Sequence, residues 1–180
     1  MNIRRFCAKS GQLLLAVLLA VSSLVRTVAP ARAAPRADTA LTASPVGTNP
    51  MSVAVNPVTN KVYVANNGSN TVTVIDGATH VTATVNTGLR PNAVAVNPAT
   101  NKIYVSNYDD RTVTVIDGAT NVTATVGTGD LPNAVVVNSV TNKVYVPNFG
   151  DNTVTVIDGA TNVTSTVGAG VEPIGLALNP

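Results

Sequence analysis

From Pro50 onward the chain runs in short stretches of alternating apolar and polar residues, separated by clusters of Asn, Asp, Gly and Pro. In its middle these stretches are Asn92–Val96 (NAVAV), Lys102–Ser106 (KIYVS), Thr112–Ile116 (TVTVI) and Val122–Val126 (VTATV). All are rich in Val, Ile, Thr and Tyr with a period of two, the signature of half-buried strands, and none carries a helical period. In the order a, b, c and d, Asn97–Asn101 (NPATN) turns a into b. Asp117-Gly118 is expected to turn c into d, with Gly118 supplying the positive φ that tight hairpins need.

The pattern repeats. Tyr63, Tyr104 and Tyr145 are 41 residues apart, as are Asp76, Asp117 and Asp158, and Pro50, Pro91, Pro132 and Pro173 extend the spacing without an insertion. The nine residues TVTVIDGAT recur unchanged at Thr71–Thr79, Thr112–Thr120 and Thr153–Thr161. Four strands in about 40–45 residues is the spacing of a propeller blade. The expected fold is an all-β propeller of four-stranded antiparallel blades over residues 49–180. Three full blades cover about 50–90, 91–131 and 132–172, and an incomplete fourth starts at Pro173. Each blade packs its two faces on its neighbours, so each copy meets the same packing demand. Val113 and Val115 should face one neighbour and the Thr residues between them the other. Each Val so buried contributes roughly 1.5–3 kcal/mol.

The segments Tyr63–Asn66 (YVAN), Tyr104–Asn107 (YVSN) and Tyr145–Asn148 (YVPN), with the flanking AVAVNP, NKVYV and NTVTVIDGAT, resemble the YVTN-family β-propeller repeat. The likeness covers Pro50 to Pro180. It implies an exported or cell-surface propeller and specifies no reaction, because a fold of this kind carries many functions.

The first residues differ in character. Arg4, Arg5 and Lys9 precede an apolar run from Leu13 to Val25, and Ala31-Arg32-Ala33 supplies a small–x–small cleavage pattern. Residues 1–33 are therefore expected to be a cleaved signal peptide, since the run is shorter than the roughly 20 residues that span a bilayer. The mature domain would then be secreted or extracytoplasmic, with no membrane insertion. Residues 34–48 read as a linker, in which 40–44 resembles a degenerate outer strand. Cleavage also changes the charge: six Lys and Arg remain against nine Asp and Glu, and the single Cys leaves with the leader. A mildly acidic domain without a basic cluster argues against nucleic-acid binding. Without a disulfide, stability rests on sheet pairing and packing. Three blades fall short of the four to eight with which propellers close. Three readings stand: part of a longer propeller, closure by self-association through the open blade faces, or an open arc.

Comparison of the copies locates a candidate binding face. The a–b and c–d turns hardly vary. On the opposite end the b–c loops read Asn67–Asn70 (NGSN), Tyr108–Arg111 (YDDR) and Phe149–Asn152 (FGDN). The residues before the repeated Pro are Asn49, Arg90, Leu131 and Glu172. Rigidly held variable loops are where binding usually sits. Arg90, Tyr108, Asp109, Asp110, Arg111, Phe149, Asp151 and Glu172 are the candidate ligand contacts, for an unknown protein or cell-surface ligand.

Other chemistry carries less weight. Asp76, Asp117 and Asp158 read as hairpin residues, Asp109, Asp110 and Asp151 as a solvated acidic cluster, and His80 as a turn variant of Asn121 and Asn162. No catalytic set, metal site or cofactor is expected. The alternative is a piece of a lactonase-like or quinone-dehydrogenase-associated propeller enzyme, whose His, Glu and Trp residues would lie outside these repeats. The Thr-x-Thr pairs are read as packing, and the sequons at Asn67, Asn121 and Asn162 matter only in a glycosylating host.

Overall fold

The computed structural model describes residues 44–179, in which every regular element is a strand. The expected signal peptide, and residues 40–43 of the expected outer strand, lie outside the described residues. The first blade consists of β1 (Pro50–Asn56), β2 (Lys61–Asn66), β3 (Thr71–Asp76) and β4 (Thr82–Asn86). The second holds β5 (Pro91–Asn97), β6 (Lys102–Asn107), β7 (Thr112–Asp117) and β8 (Thr123–Gly127). The third holds β9 (Val136–Asn138), β10 (Lys143–Asn148), β11 (Thr153–Asp158) and β12 (Thr164–Gly168). Each blade is one antiparallel sheet with its strands in chain order, so the three copies repeat one meander.

Two hydrophobic cores lie between the blades. Tyr63, Ala65, Val72, Val74 and Val85 of the first blade pack on Val94, Ile103, Val105 and Ile116 of the second. Tyr104, Val113, Val115 and Val126 then pack on Val135, Val144, Val146 and Ile157 of the third. Alternation within a strand sends successive side chains to opposite faces, so Val113 and Val115 face the third blade while Ile116 faces the first, as the pattern predicts. Burial pushes the phenol pKa of Tyr63 and Tyr104 up, with Asp117 and Asp158 adding in turn.

The repeated Asn of the Tyr-Val-x-Asn segment is a staple between b and c. Fully buried Asn107 donates from Nδ2 to Thr112 Oγ1 at 3.0 Å and Thr114 Oγ1 at 2.9 Å. Asn66 and Asn148 do the same with Thr71 and Thr73, and with Thr153 and Thr155. In strand c the Thr-x-Thr spacing thus serves packing and an internal hydrogen-bond pair, because both hydroxyls lie on the face that the Asn amide reaches, whereas the strand-d pairs Thr123/Thr125 and Thr164/Thr166 are exposed.

The structure departs from expectation in three places. Gly118 does not adopt positive φ, nor does any described glycine. The left-handed residue of the c–d turn is His80, Asn121 or Asn162, at φ 60°, 61° and 60°. Gly118 is needed for space: its N–H donates to Asn101 O at 2.9 Å, and an added Cβ would collide with Asn101. The first strand of the third blade also shrinks to Val136–Asn138. Pro147 of β10 occupies the place of Ala65 and Ser106, and without an N–H it withdraws one rung of the ladder. Finally, Pro173–Asn179 forms no strand, since no b strand lies beside it.

Candidate functional site

The meander puts the d–a and b–c loops at the same end of each blade. Backbone bonds tie them in pairs: Asn67 N to Asn49 O at 2.9 Å, Tyr108 N to Arg90 O at 3.0 Å and Phe149 N to Leu131 O at 3.1 Å. This end therefore presents three equivalent two-loop tips. Their chemistry differs in matched pairs. In the first, Asn49 Nδ2 donates to Asn67 Oδ1 at 3.4 Å. In the second, the Arg90 guanidinium lies 5.4 Å from the Tyr108 ring centroid and 3.3 Å from Asp109 Oδ2. In the third, Leu131 stands beside Phe149, an apolar pair.

Side chains that do not vary freely hold the tips. Between the first and second blades, three successive backbone N–H groups each find an acceptor. Gly88 N donates to Thr114 Oγ1 at 3.3 Å, Leu89 N to Asp110 Oδ2 at 2.8 Å and Arg90 N to Asn70 Oδ1 at 2.8 Å. Gly88 must lack a side chain here, since a Cβ would lie 2.5 Å from Asp110 Oδ2 and 2.7 Å from Asn107 Nδ2. At the next junction Gly129 N bonds to Thr155 at 3.3 Å and Asp130 N to Asp151 Oδ2 at 2.6 Å. The third bond is missing. Arg111 occupies the position of Asn70 and has no acceptor to offer Leu131 N; its guanidinium instead reaches Asp130 Oδ1 at 2.9 Å. Asn152 restores the pattern by accepting from Glu172 N at 2.8 Å.

The candidate residues therefore divide. Asp110 and Asp151 are loop-holding acceptors, equivalent to Ser69, whose Oγ accepts from Thr48 N at 3.2 Å. Arg90, Tyr108, Asp109 and Arg111 cluster on the second tip, flanked by Phe149 on the third, while Glu172 stands at the start of the unpaired C-terminal stretch. Leu131, which varies in the same place as Arg90, and Asp130 lie on these tips but outside the candidate set. Equivalence of Leu131 to Arg90, and of Leu131–Phe149 to Arg90–Tyr108, was the available signal.

Backbone conformation marks the same end. Thirteen described non-glycine residues have positive φ; nine are Asn or His, which tolerate the left-handed region, and the other four are Arg90, Arg111, Leu131 and Glu172. All four lie on the variable tips. A left-handed residue with an ordinary side chain costs about 1–2 kcal/mol, and such strain tends to collect at functional positions.

The other end is nearly uniform because its recurring Asn and Asp side chains accept backbone N–H groups in every blade. Asp117 Oδ1 accepts from Ala119 N and Thr120 N, both at 3.0 Å, and Asp76 and Asp158 repeat the arrangement. The N–H groups of Thr79 and Ala78 hold Asp76 below its ordinary value of 3.8, and those of Thr120 and Ala119 do the same for Asp117. For Asp158 the first cause is Lys143, whose Nζ is 2.7 Å from Oδ2, followed by the N–H groups of Thr161 and Ala160. These three carboxylates are turn residues.

The fold and the two unlike ends define an all-β, propeller-type repeat scaffold. No family model and no curated protein matches the chain. Among solved structures, hydrazine synthase of Kuenenia stuttgartiensis aligns at TM-score 0.62 and 22% identity, over 71% of this chain and 37% of that one. A functionally unknown protein from Desulfotomaculum acetoxidans aligns at TM-score 0.57 and 22% identity, over 68% of this chain and 42% of that one. The chain thus spans less than half of either neighbour, and at this identity the likeness is one of fold.

Proposed function

We propose that this chain is an exported scaffold of the YVTN repeat kind, whose variable tips bind a protein or cell-surface ligand, with the second blade at the centre. The observation that carries this reading is Arg111. The repeat specifies Asn at that position, where Asn tolerates the left-handed backbone and accepts the N–H of the following loop. Arg111 forgoes both advantages and presents a guanidinium that is two-thirds exposed. Arg90, also left-handed, stands nearby with Tyr108 and Asp109. Two guanidinium groups, a phenol and carboxylates on a rigid support suit a polar, hydrogen-bonding surface with an apolar border at Leu131 and Phe149. Aromatic and Arg side chains dominate the energetics of such contacts.

A photo-crosslinking residue in place of Tyr108 should capture a discrete partner on intact cells. The same residue in place of Ala99, exposed on the opposite end, should not. Adding Arg111→Asn to the Tyr108 probe should reduce capture while the domain stays folded. Equal capture from both ends would refute the assignment, and recovery of the protein from the cytoplasm alone would refute export.

A further inference from the structure

Two large blade faces remain unpartnered among the described residues, and the repeat identifies what fits them. The outward face of the first blade carries Val53 and Val55, 63% and 57% exposed, with half-buried Val62, Val64 and Ile75 beside them. The equivalents of Val53 are Val94 and Val135, both 7% exposed because a preceding blade covers them. The outward face of the third blade carries Tyr145, Val154, Val156 and Val167. Val167 is 54% exposed, whereas its equivalents Val85 and Val126 are each 6% exposed under a following blade. One face is thus the socket of the internal junctions and the other is the plug.

Polar groups make the same match. At the first junction Asn56 Nδ2 donates to Asn101 Oδ1 at 2.8 Å and Lys61 Nζ to Gly118 O at 2.8 Å. At the second, Asn97 Nδ2 donates to Asn142 Oδ1 at 2.8 Å and Lys102 Nζ to Gly159 O at 3.2 Å. The next set would join Asn138 Nδ2 and Lys143 Nζ on the third blade to Asn60 Oδ1 and Gly77 O on the first. Lys143, with no carbonyl across from it, turns back to Asp158 of its own blade. The donors stand on one open face and the acceptors on the other.

We infer that the open faces bind each other between two copies of this chain, plug to socket, giving a dimer with two identical junctions. Counting the described blades alone, two copies bring six together, within the four to eight with which rings close. Pro173–Asn179 aligns in the repeat with Pro50–Asn56, so it competes with the incoming β1 for one place. It holds no strand pairing and gives way.

Sedimentation of the protein should show a dimer. Val53→Asp and Val167→Asp, each at a site exposed in the single copy, should each give a folded monomer, with folding checked by thermal melting. Mixing the two variants should restore a dimer, since each retains the face the other lacks. Ending the chain after Glu172 should tighten association. The inference is overturned by a wild-type monomer at tens of micromolar, by dimers that persist in both variants, by failure of the folded mixture to associate, or by loss of the dimer when residues 173–180 are removed. Crosslinking through Tyr108 reports separately on the variable tips.

Discussion

The two ends of each blade are built from similar turns, yet one is almost invariant between copies and the other is not. At the a–b and c–d end the side chains of Asn56, Asn97 and Asn138, and of Asp76, Asp117 and Asp158, accept backbone N–H groups in every blade. Changing any of them costs a bond, so the letters recur. At the d–a and b–c end, Thr114, Asp110 and Asn70 do that work for one loop, which leaves Arg90, Tyr108 and Asp109 unconstrained by the backbone. The lesson is that uniformity between copies reports hydrogen-bonding duty. Variation is informative only where it runs against duty, as it does at Arg111.

Substitutions that remove or restore duty sharpen the contrast. The largest effect should come from Asn107→Leu, which deprives the buried Thr114 hydroxyl of a donor and puts an apolar side chain beside it. A loss of about 2–3 kcal/mol is expected in urea unfolding. A loss below about 0.5 kcal/mol would mean that the staple is incidental.

Acid should act next, and on the uniform end. Folding depresses the pKa of Asp76, Asp117 and Asp158, so their contribution is complete above the ordinary value of 3.8 and is lost as pH falls through the lower folded values. The melting temperature of the protein should fall below about pH 4. In a triple Asp→Asn variant at these positions, which keeps the amide oxygen as acceptor, the fall should be shallower. Equal acid slopes would show that these carboxylates do not govern the transition.

The smallest effect should have the opposite sign. Arg111→Asn should stabilise the protein by roughly 1 kcal/mol, since Asn accepts the N–H of Leu131 and suits the left-handed backbone. The exposed ion pair it gives up with Asp130 is worth little. Destabilisation would mean that Arg111 is part of the fold, and the case for a binding role would weaken.

Much of the scaffold was legible in the residues alone. Strand type, order and blade boundaries follow from a period of two inside a period of 41, because alternating Val and Thr can bury two faces only when sheets stack. The shortened β9 was legible in principle, as Pro147 stands in a b strand, but its consequence depends on which residue it opposes. The left-handed residue of the c–d turn was not legible. Sequence rules associate left-handed backbone with Gly, whereas here Asn and His take it and Gly118 answers a steric demand from Asn101, a neighbour set by register. The site was legible as a set of variable positions and not as an arrangement. The copies separate Asp109, equivalent to Gly68 and Gly150, from Asp110, equivalent to Ser69 and Asp151, but only the fold shows that Asp110 caps a loop while Asp109 faces Arg90.

The chain by itself therefore determined the blades, their number among the residues described, and which loops share an end. Local alternation and a strict repeat suffice for that, because they act through neighbouring residues and identical packing. Tertiary structure alone decided which polar side chains were already engaged, which ordinary residues sit in a costly left-handed backbone, and which faces remain open. The bonds that hold the variable tips and join the blades link residues about 20 to 60 positions apart, which meet only when one blade lies against the next.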